Sequence, residues 1–187
     1  MGLDMYLNKR QYVKNWEHMT PDEKHTITIK RAGKKLNSKL PIRDVVYEAA
    51  YWRKANAIHN WFVQNVQNGN DDCGEYYVSE EQLQKLIDLC KDVLKIAKTG
   101  KGKVYIGTRY TPEKGEERMY EDGIVVTNPE EVAELLPPTE GFFFGSTDID
   151  GYFLDDLRDT VKQLETALAD KDSDGRYGAE YYYQSSW

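Results

Sequence analysis

Cysteine is scarce in this 187-residue chain, with only Cys73 and Cys90 present. They have no CxxC spacing and no nearby His, so neither a disulfide framework nor a zinc site follows from them. The three histidines, His18, His25 and His59, make a multi-His metal centre only if they converge. No apolar run approaches the roughly 18 residues a membrane-spanning helix needs. The opening Met1-Gly2-Leu3-Asp4 lacks the apolar core of a signal peptide, so a cytoplasmic protein without a membrane span is expected. GxSxG, P-loop, HExxH and GxGxxG signatures are all missing, so nothing in the sequence demands an enzyme. No catalytic residue and no cofactor is assigned. Repeats of 20–50 residues and sustained heptads are missing too.

What the chain has is tyrosine and an uneven charge. There are 14 Tyr and 4 Trp, and the formal net charge is −7. Residues 1–66 carry 12 Lys/Arg against 6 Asp/Glu, whereas 67–187 carry 13 against 26. The overall acidity argues against duplex DNA as a partner, which needs a positive field. The basic N-terminal third leaves room for a local anion site.

Periodicity predicts an α+β fold, a single domain over 1–187, with a mixed or antiparallel sheet of about five to six strands and three main helices. Strands are expected at Leu3–Leu7, Thr26–Lys30, Phe142–Phe144 and Glu180–Trp187, and a hairpin elaboration over 103–127 with an exposed tip from Pro112 to Asp122. The 30–40 segment, with Lys30, Arg31, Lys34, Lys35 and Lys39, reads as a basic loop, either solvated or collecting phosphate. Helices are expected over 51–66, from Ser79 (a capping box with Gln82) to Gly100 and Gly102, and over 151–169. Asn128-Pro129-Glu130-Glu131 has the chemistry of a further short helix start.

The densest segment runs from Tyr51 to Phe62. On a helix, Trp52, Asn56, His59 and Val63 share one strip at the margin of an apolar face, which suits a small-molecule pocket. His59 can bind a ligand, act as acid or base, or simply hold a core carbonyl. Arg53 can take an anion or sit solvated. The C-terminal Tyr181-Tyr182-Tyr183 and Trp187 can stack a nucleobase or fill the core. Asp170-Lys171-Asp172-Ser173-Asp174-Gly175 reads as a polar turn, or as the opening of a Ca²⁺ loop whose bidentate Glu is missing, since Tyr181 stands at the twelfth position. No metal ligand is assigned.

The segments MGLDMYL, YWRKANAIHNWFVQNV with NDDC, GFFFGS and YYYQSSW, in that order, resemble an uncharacterised family of small phage- and prophage-encoded proteins. The resemblance is carried by Tyr51–His59, Asp72–Cys73, Gly141–Ser146 and Tyr183–Trp187, and does not extend to the basic loop or the 103–127 hairpin. It implies a host-cell cytoplasmic setting and an accessory role against host defences, exerted by capturing a nucleotide signal or by binding a host protein. The expectation is therefore a small anionic, nucleotide-like ligand held by Trp52, Arg53, Asn56, His59, Tyr183 and Gln184. The alternatives are a protein–protein inhibitor acting through the acidic surface, and a hydrolase or transferase with His59 as base. Self-association is compatible with all three.

Overall fold

A computed structural model describes residues 2–36, 38, 40–171 and 179–187. In chain order its elements are β1 (Asp4–Tyr12), β2 (Lys30–Arg31), β3 (Lys34–Lys35), β4 (Asp44–Arg53), α1 (Asn56–Asn65), β5 (Tyr76–Val78), α2 (Glu80–Ile96), β6 (Thr99–Thr111), β7 (Gly115–Val126), α3 (Pro129–Leu135), α4 (Gly151–Ala169) and β8 (Glu180–Ser186). This is the expected α+β fold. Among the described residues the pairing is antiparallel throughout: a four-stranded sheet in the order β4-β1-β8-β5, and two separate ribbons, β2-β3 and β6-β7.

The period of two along β1 and β8 decides which face is covered. Met5, Leu7 and Lys9 on β1 stand opposite Ser185, Tyr183 and Tyr181 on β8, and all six are buried. With Ala50 and Trp52 of β4 and Val78 of β5, this face forms a core with Ile58 and Phe62 of α1, Leu83, Leu86, Ile87 and Cys90 of α2, and Leu154, Leu157 and Leu164 of α4. The opposite face carries Tyr6, Tyr51, Tyr77 and Tyr182 with no helix over them. There the Tyr51 hydroxyl donates to Asp4, the Tyr182 hydroxyl donates to Glu180, and Arg10 lies over the Tyr182 ring.

Local chemistry explains the helix limits. Ser79 and Gln82 form the reciprocal capping box at the start of α2. Gly100 and Gly102 do not close that helix; it stops at Ala97, and both glycines lie in β6. The side chain of Asn128 makes no cap for α3. Its Oδ1 accepts from Lys98 N–H and its Nδ2 donates to the Ile96 carbonyl, which fastens α3 to the end of α2.

Four expectations are corrected. Residues 51–53 belong to β4, and the helix starts only at Asn56. The strand continues to Arg53 because Met5 and Trp52 pair across the ladder, and Lys54 at φ 61° then ends it. Thr26–Ile29 pair in no strand, although Leu36 N–H bonds the Ile29 carbonyl beside the small β2-β3 ribbon, which also replaces the expected loop. Phe142–Phe144 form a turn, held by Phe144 N–H on the Gly141 carbonyl. The β6-β7 ribbon is longer than expected, and only 112–114 turn at its tip. Most of the Asp170–Gly175 motif lies outside the described residues.

Candidate functional site

The passage from β4 into α1 determines the site. Lys54 takes a left-handed conformation, and its N–H donates to the Leu3 carbonyl. Ala55 follows at φ −75°, ψ 69°, and Asn56 N–H bonds back to the Lys54 carbonyl, an inverse γ-turn. Ala55 therefore occupies the N-cap position, where it offers no side-chain oxygen. The first turn of α1 opens without a cap, directly after Arg53 and Lys54.

The Gly141–Ser146 turn closes over this junction. Asn56 Nδ2 donates to the carbonyls of Phe144 (3.2 Å) and Ser146 (2.7 Å). Gly145 has φ 88° and lies against Lys54, where an added Cβ would sit 3.2 Å from the lysine Cβ. Both the backbone angle and the close approach call for glycine here.

Around the junction runs a cleft of about 620 Å³. Its cationic wall is Arg53, Lys54 and the bare start of α1. Tyr105 and Thr108 of β6 form a second wall, Phe142 and Phe143 a third, and Asp150, Tyr152 and Asp156 of α4 a fourth. The β6-β7 ribbon is pinned to the last wall by the Tyr152 hydroxyl, which donates to Glu121, and by a bridge between Val125 and Asp150. Phe142 projects at the rim with 93% of its surface exposed.

The carboxylates of α4 differ in their situation. Asp150 Oδ1 accepts from the N–H groups of Tyr152 (2.9 Å) and Phe153 (3.2 Å), capping the helix. Burial nevertheless raises its carboxyl above the usual range, against the pull of those amides. Asp156 has no such amides. Burial, then repulsion from Asp159, Asp155 and Asp150, pushes its carboxyl up to about 7.

The six residues expected to bind ligand do not form one constellation. Arg53 and Asn56 line the cleft, but the Asn56 amide is committed to the 144–146 turn. Trp52 is buried, its Nε1 donating to Thr160 Oγ1 and its ring 5.8 Å from Phe62. Tyr183 is buried and stacked on Phe62 at 3.9 Å. Gln184 follows it on the opposite face of the sheet, where its amide donates to the Cys73 carbonyl.

His59 is fully buried, at 0% exposure. Its Nε2 lies 3.0 Å from Asp71 Oδ2 and its Nδ1 2.8 Å from the Tyr183 hydroxyl. Because a carboxylate can only accept, Nε2 carries the proton and donates. Nδ1 pairs with the Tyr183 hydroxyl, which burial holds well above its ordinary pKa, with the Asp71 charge adding to the effect. Trp187 Nε1 donates to the other Asp71 oxygen, and Phe144 meets the His59 ring edge-on at 5.0 Å. His59 thus ties α1, the 70–73 loop, the 141–146 turn and the last strand together. Its ring is sealed from solvent.

The cleft residues that sequence patterns did not flag are Lys54, Tyr105, Phe142, Phe143, Tyr152 and Asp156. The Phe142–Phe144 run is plain in the sequence, where its pattern predicts a strand. Among the described residues no set of three His, Cys, Asp or Glu is grouped to hold a metal ion, and no helix is long and apolar enough to cross a membrane. No protein-family model, curated protein or solved structure matches the chain.

Proposed function

We propose that this chain is a binding protein that captures a nucleotide-like anion in the cleft between the starts of α1 and α4. The observation that carries this reading is the pairing of a bare helix start, flanked by Arg53 and Lys54, with the aromatic side chains Tyr105, Phe142, Phe143 and Tyr152 around one 620 Å³ space. A helix start with no side-chain cap and two exposed cations before it favour phosphate. Aromatic faces favour a ring, with about 1–3 kcal/mol per stacked base. Asp156, ionising near neutrality on the opposite wall, suits a base edge that presents an amino group. Two of the four segments that carry the phage-family resemblance, Tyr51–His59 and Gly141–Ser146, contribute to this cleft, which supports an accessory role in which a nucleotide signal of host defence is sequestered. Burial of His59 argues against a hydrolase or transferase using it as base.

Thermal shift with linear and cyclic nucleotides tests the reading. The intact chain is expected to gain stability with at least one nucleotide, and the Arg53→Ala/Lys54→Ala double variant to lose that gain while keeping its own melting temperature. No shift with any nucleotide, or an undiminished shift in the double variant, would overturn it.

A second reading keeps one supporting observation. Asp155, Asp156 and Asp159 crowd one turn of α4 with Asp150 nearby, and their repulsion adds to burial in raising the Asp156 carboxyl. Such a patch suits docking on a basic host protein. Salt-sensitive capture of a host protein, unaffected by Arg53→Ala/Lys54→Ala, would favour it.

A further inference from the structure

Just before β4, residues 24–43 contain Lys24, Lys30, Arg31, Lys34, Lys35, Lys39 and Arg43 and no carboxylate. Of the described cations in this stretch, Arg43 pairs with its neighbour Asp44. The same stretch exposes aliphatic side chains: Ile29 is 51% exposed, Leu36 52% and Leu40 79%. These line a cleft of about 380 Å³ together with Ile27, Pro41 and Ile42, floored by the buried Val13. The cleft is built, not incidental. Asn15 clamps His25 through both its amide groups (2.8 Å each), Val13 N–H bonds the Arg43 carbonyl, and Leu36 N–H bonds the Ile29 carbonyl.

Strand alternation arranges the two chemistries. Ile29 and Leu36 lie opposite each other, the next pair is Lys30 with Lys35, and the third is Arg31 with Lys34. Lys35 lines the cleft itself, and Arg31 and Lys34, on the side of the ribbon that alternation gives to Ile29 and Leu36, add two cations beside it. The stretch has no Phe, Tyr or Trp, so it offers no stacking platform for a single-stranded nucleic acid. A concave apolar lining wants a protruding side chain, which a flat lipid surface does not supply. An exposed apolar patch with a one-signed rim marks a contact site.

We infer that this cleft docks an acidic segment of a partner protein, whose carboxylates meet Lys35 and the adjoining Arg31/Lys34 pair while one or two aliphatic side chains enter between Ile29, Leu36 and Leu40. The inference is independent of what the other cleft holds.

The test uses the full chain, isotope-labelled for NMR, with a synthetic peptide alternating Glu and Leu as probe. Its Lys-for-Glu counterpart and phosphatidylserine-containing vesicles are run beside it. The Glu/Leu peptide is expected to shift the amide signals of Ile27, Ile29 and Leu36. Binding should fall roughly tenfold in Arg31→Glu/Lys34→Glu and weaken as salt shortens the screening length. Leu36→Ser should weaken binding at unchanged charge. All three side chains are exposed, so the variants keep the wild-type melting temperature, which is measured in parallel. Equal binding of the two peptides, no binding of the Glu/Leu peptide, shifts elsewhere on the chain, or binding to vesicles alone would each overturn the inference.

Discussion

Helices α1 and α4 open on the same cleft, yet their first turns are finished in opposite ways. At α4 the Asp150 carboxylate takes the N–H groups of Tyr152 and Phe153, so the positive end of that helix is answered from within. At α1 the N-cap position holds Ala55, no side chain answers the first turn and only the Asn56 N–H finds a partner, the Lys54 carbonyl, while Arg53 and Lys54 add charge of the same sign. Farther along, the order reverses. The deep polar group of α1, His59, has a partner on each ring nitrogen, whereas Asp156 on α4 has other carboxylates for company. Groups with internal partners hold the fold together. Groups without them face the cleft, and those are the ones an external ligand can complete.

The largest effect is expected from breaking the satisfied side. His59→Ala removes a fully buried ring and strands the Tyr183 hydroxyl and one Asp71 oxygen. The cost should be on the order of 3 kcal/mol, read by denaturant unfolding. Asp71→Asn should cost less, because Asp71 is partly exposed and its amide can still accept from His59. A His59→Ala variant as stable as wild type would mean that the network carries no weight in the fold.

Next comes Asp156→Asn, which acts through pH. The folded-state carboxyl ionises at about 7, against an ordinary aspartate value of 3.8. Between those values the folded chain holds a proton that the unfolded chain has released, so stability falls as pH rises through about 7. Asparagine escapes that loss. The variant should match wild type at pH 4 and exceed it at pH 8 by on the order of 2 kcal/mol. A constant difference across that range would assign Asp156 no role in the pH dependence.

The capping box of α2, the start of α4 and the last strand could be read from sequence because each depends on near neighbours: Ser79 with Gln82, Asp150 with the amides that follow it, and the alternation from Glu180 to Ser186. Strand β4 could not. Its pairing shifts register between Leu7 and Asn8, so the run Val45 to Trp52 shows no steady period of two. Tyr51–His59 also has spacings of three and four, which imitate a helix. The real boundary is a left-handed Lys54, a conformation that lysine's own preferences argue against and that Leu3 and Gly145 impose from far along the chain. The candidate site suffered for the same reason. Placing Trp52 on a helix put it beside Asn56 and His59, when it points into the core from a strand. Arg53 and Asn56 do border the cleft, but Lys54 and Phe142 acquire their place only through tertiary structure.

A moderate effect is expected at the bare helix start. Arg53→Ala/Lys54→Ala removes two exposed cations, so unfolding should change by under about 0.5 kcal/mol. Affinity for a phosphate-bearing ligand should fall at least roughly tenfold, and the remaining affinity should lose most of its salt dependence. Lys54→Gly separates the two roles of that residue. It relieves a left-handed non-glycine backbone, raising stability by up to about 1 kcal/mol, and still weakens the anion.

The smallest effect is also the most discriminating. Phe142 is 93% exposed and touches little besides Phe143, whose ring centroid lies 4.7 Å away edge-to-face. An aromatic left in water has almost no burial to lose, so Phe142→Ala should leave the unfolding midpoint where it is. It borders the cleft and projects at its rim, where a ring-bearing ligand can stack on it. Affinity for a nucleotide should therefore drop about three- to tenfold, while affinity for inorganic phosphate stays the same. Phe142→Tyr, which preserves the ring face, should restore nucleotide affinity. If both ligands weaken equally, Phe142 shapes the turn around the anion and contributes no stacking face. If neither weakens, the ring of the ligand lies elsewhere, and Tyr105 and Tyr152 are the aromatic walls left to hold it.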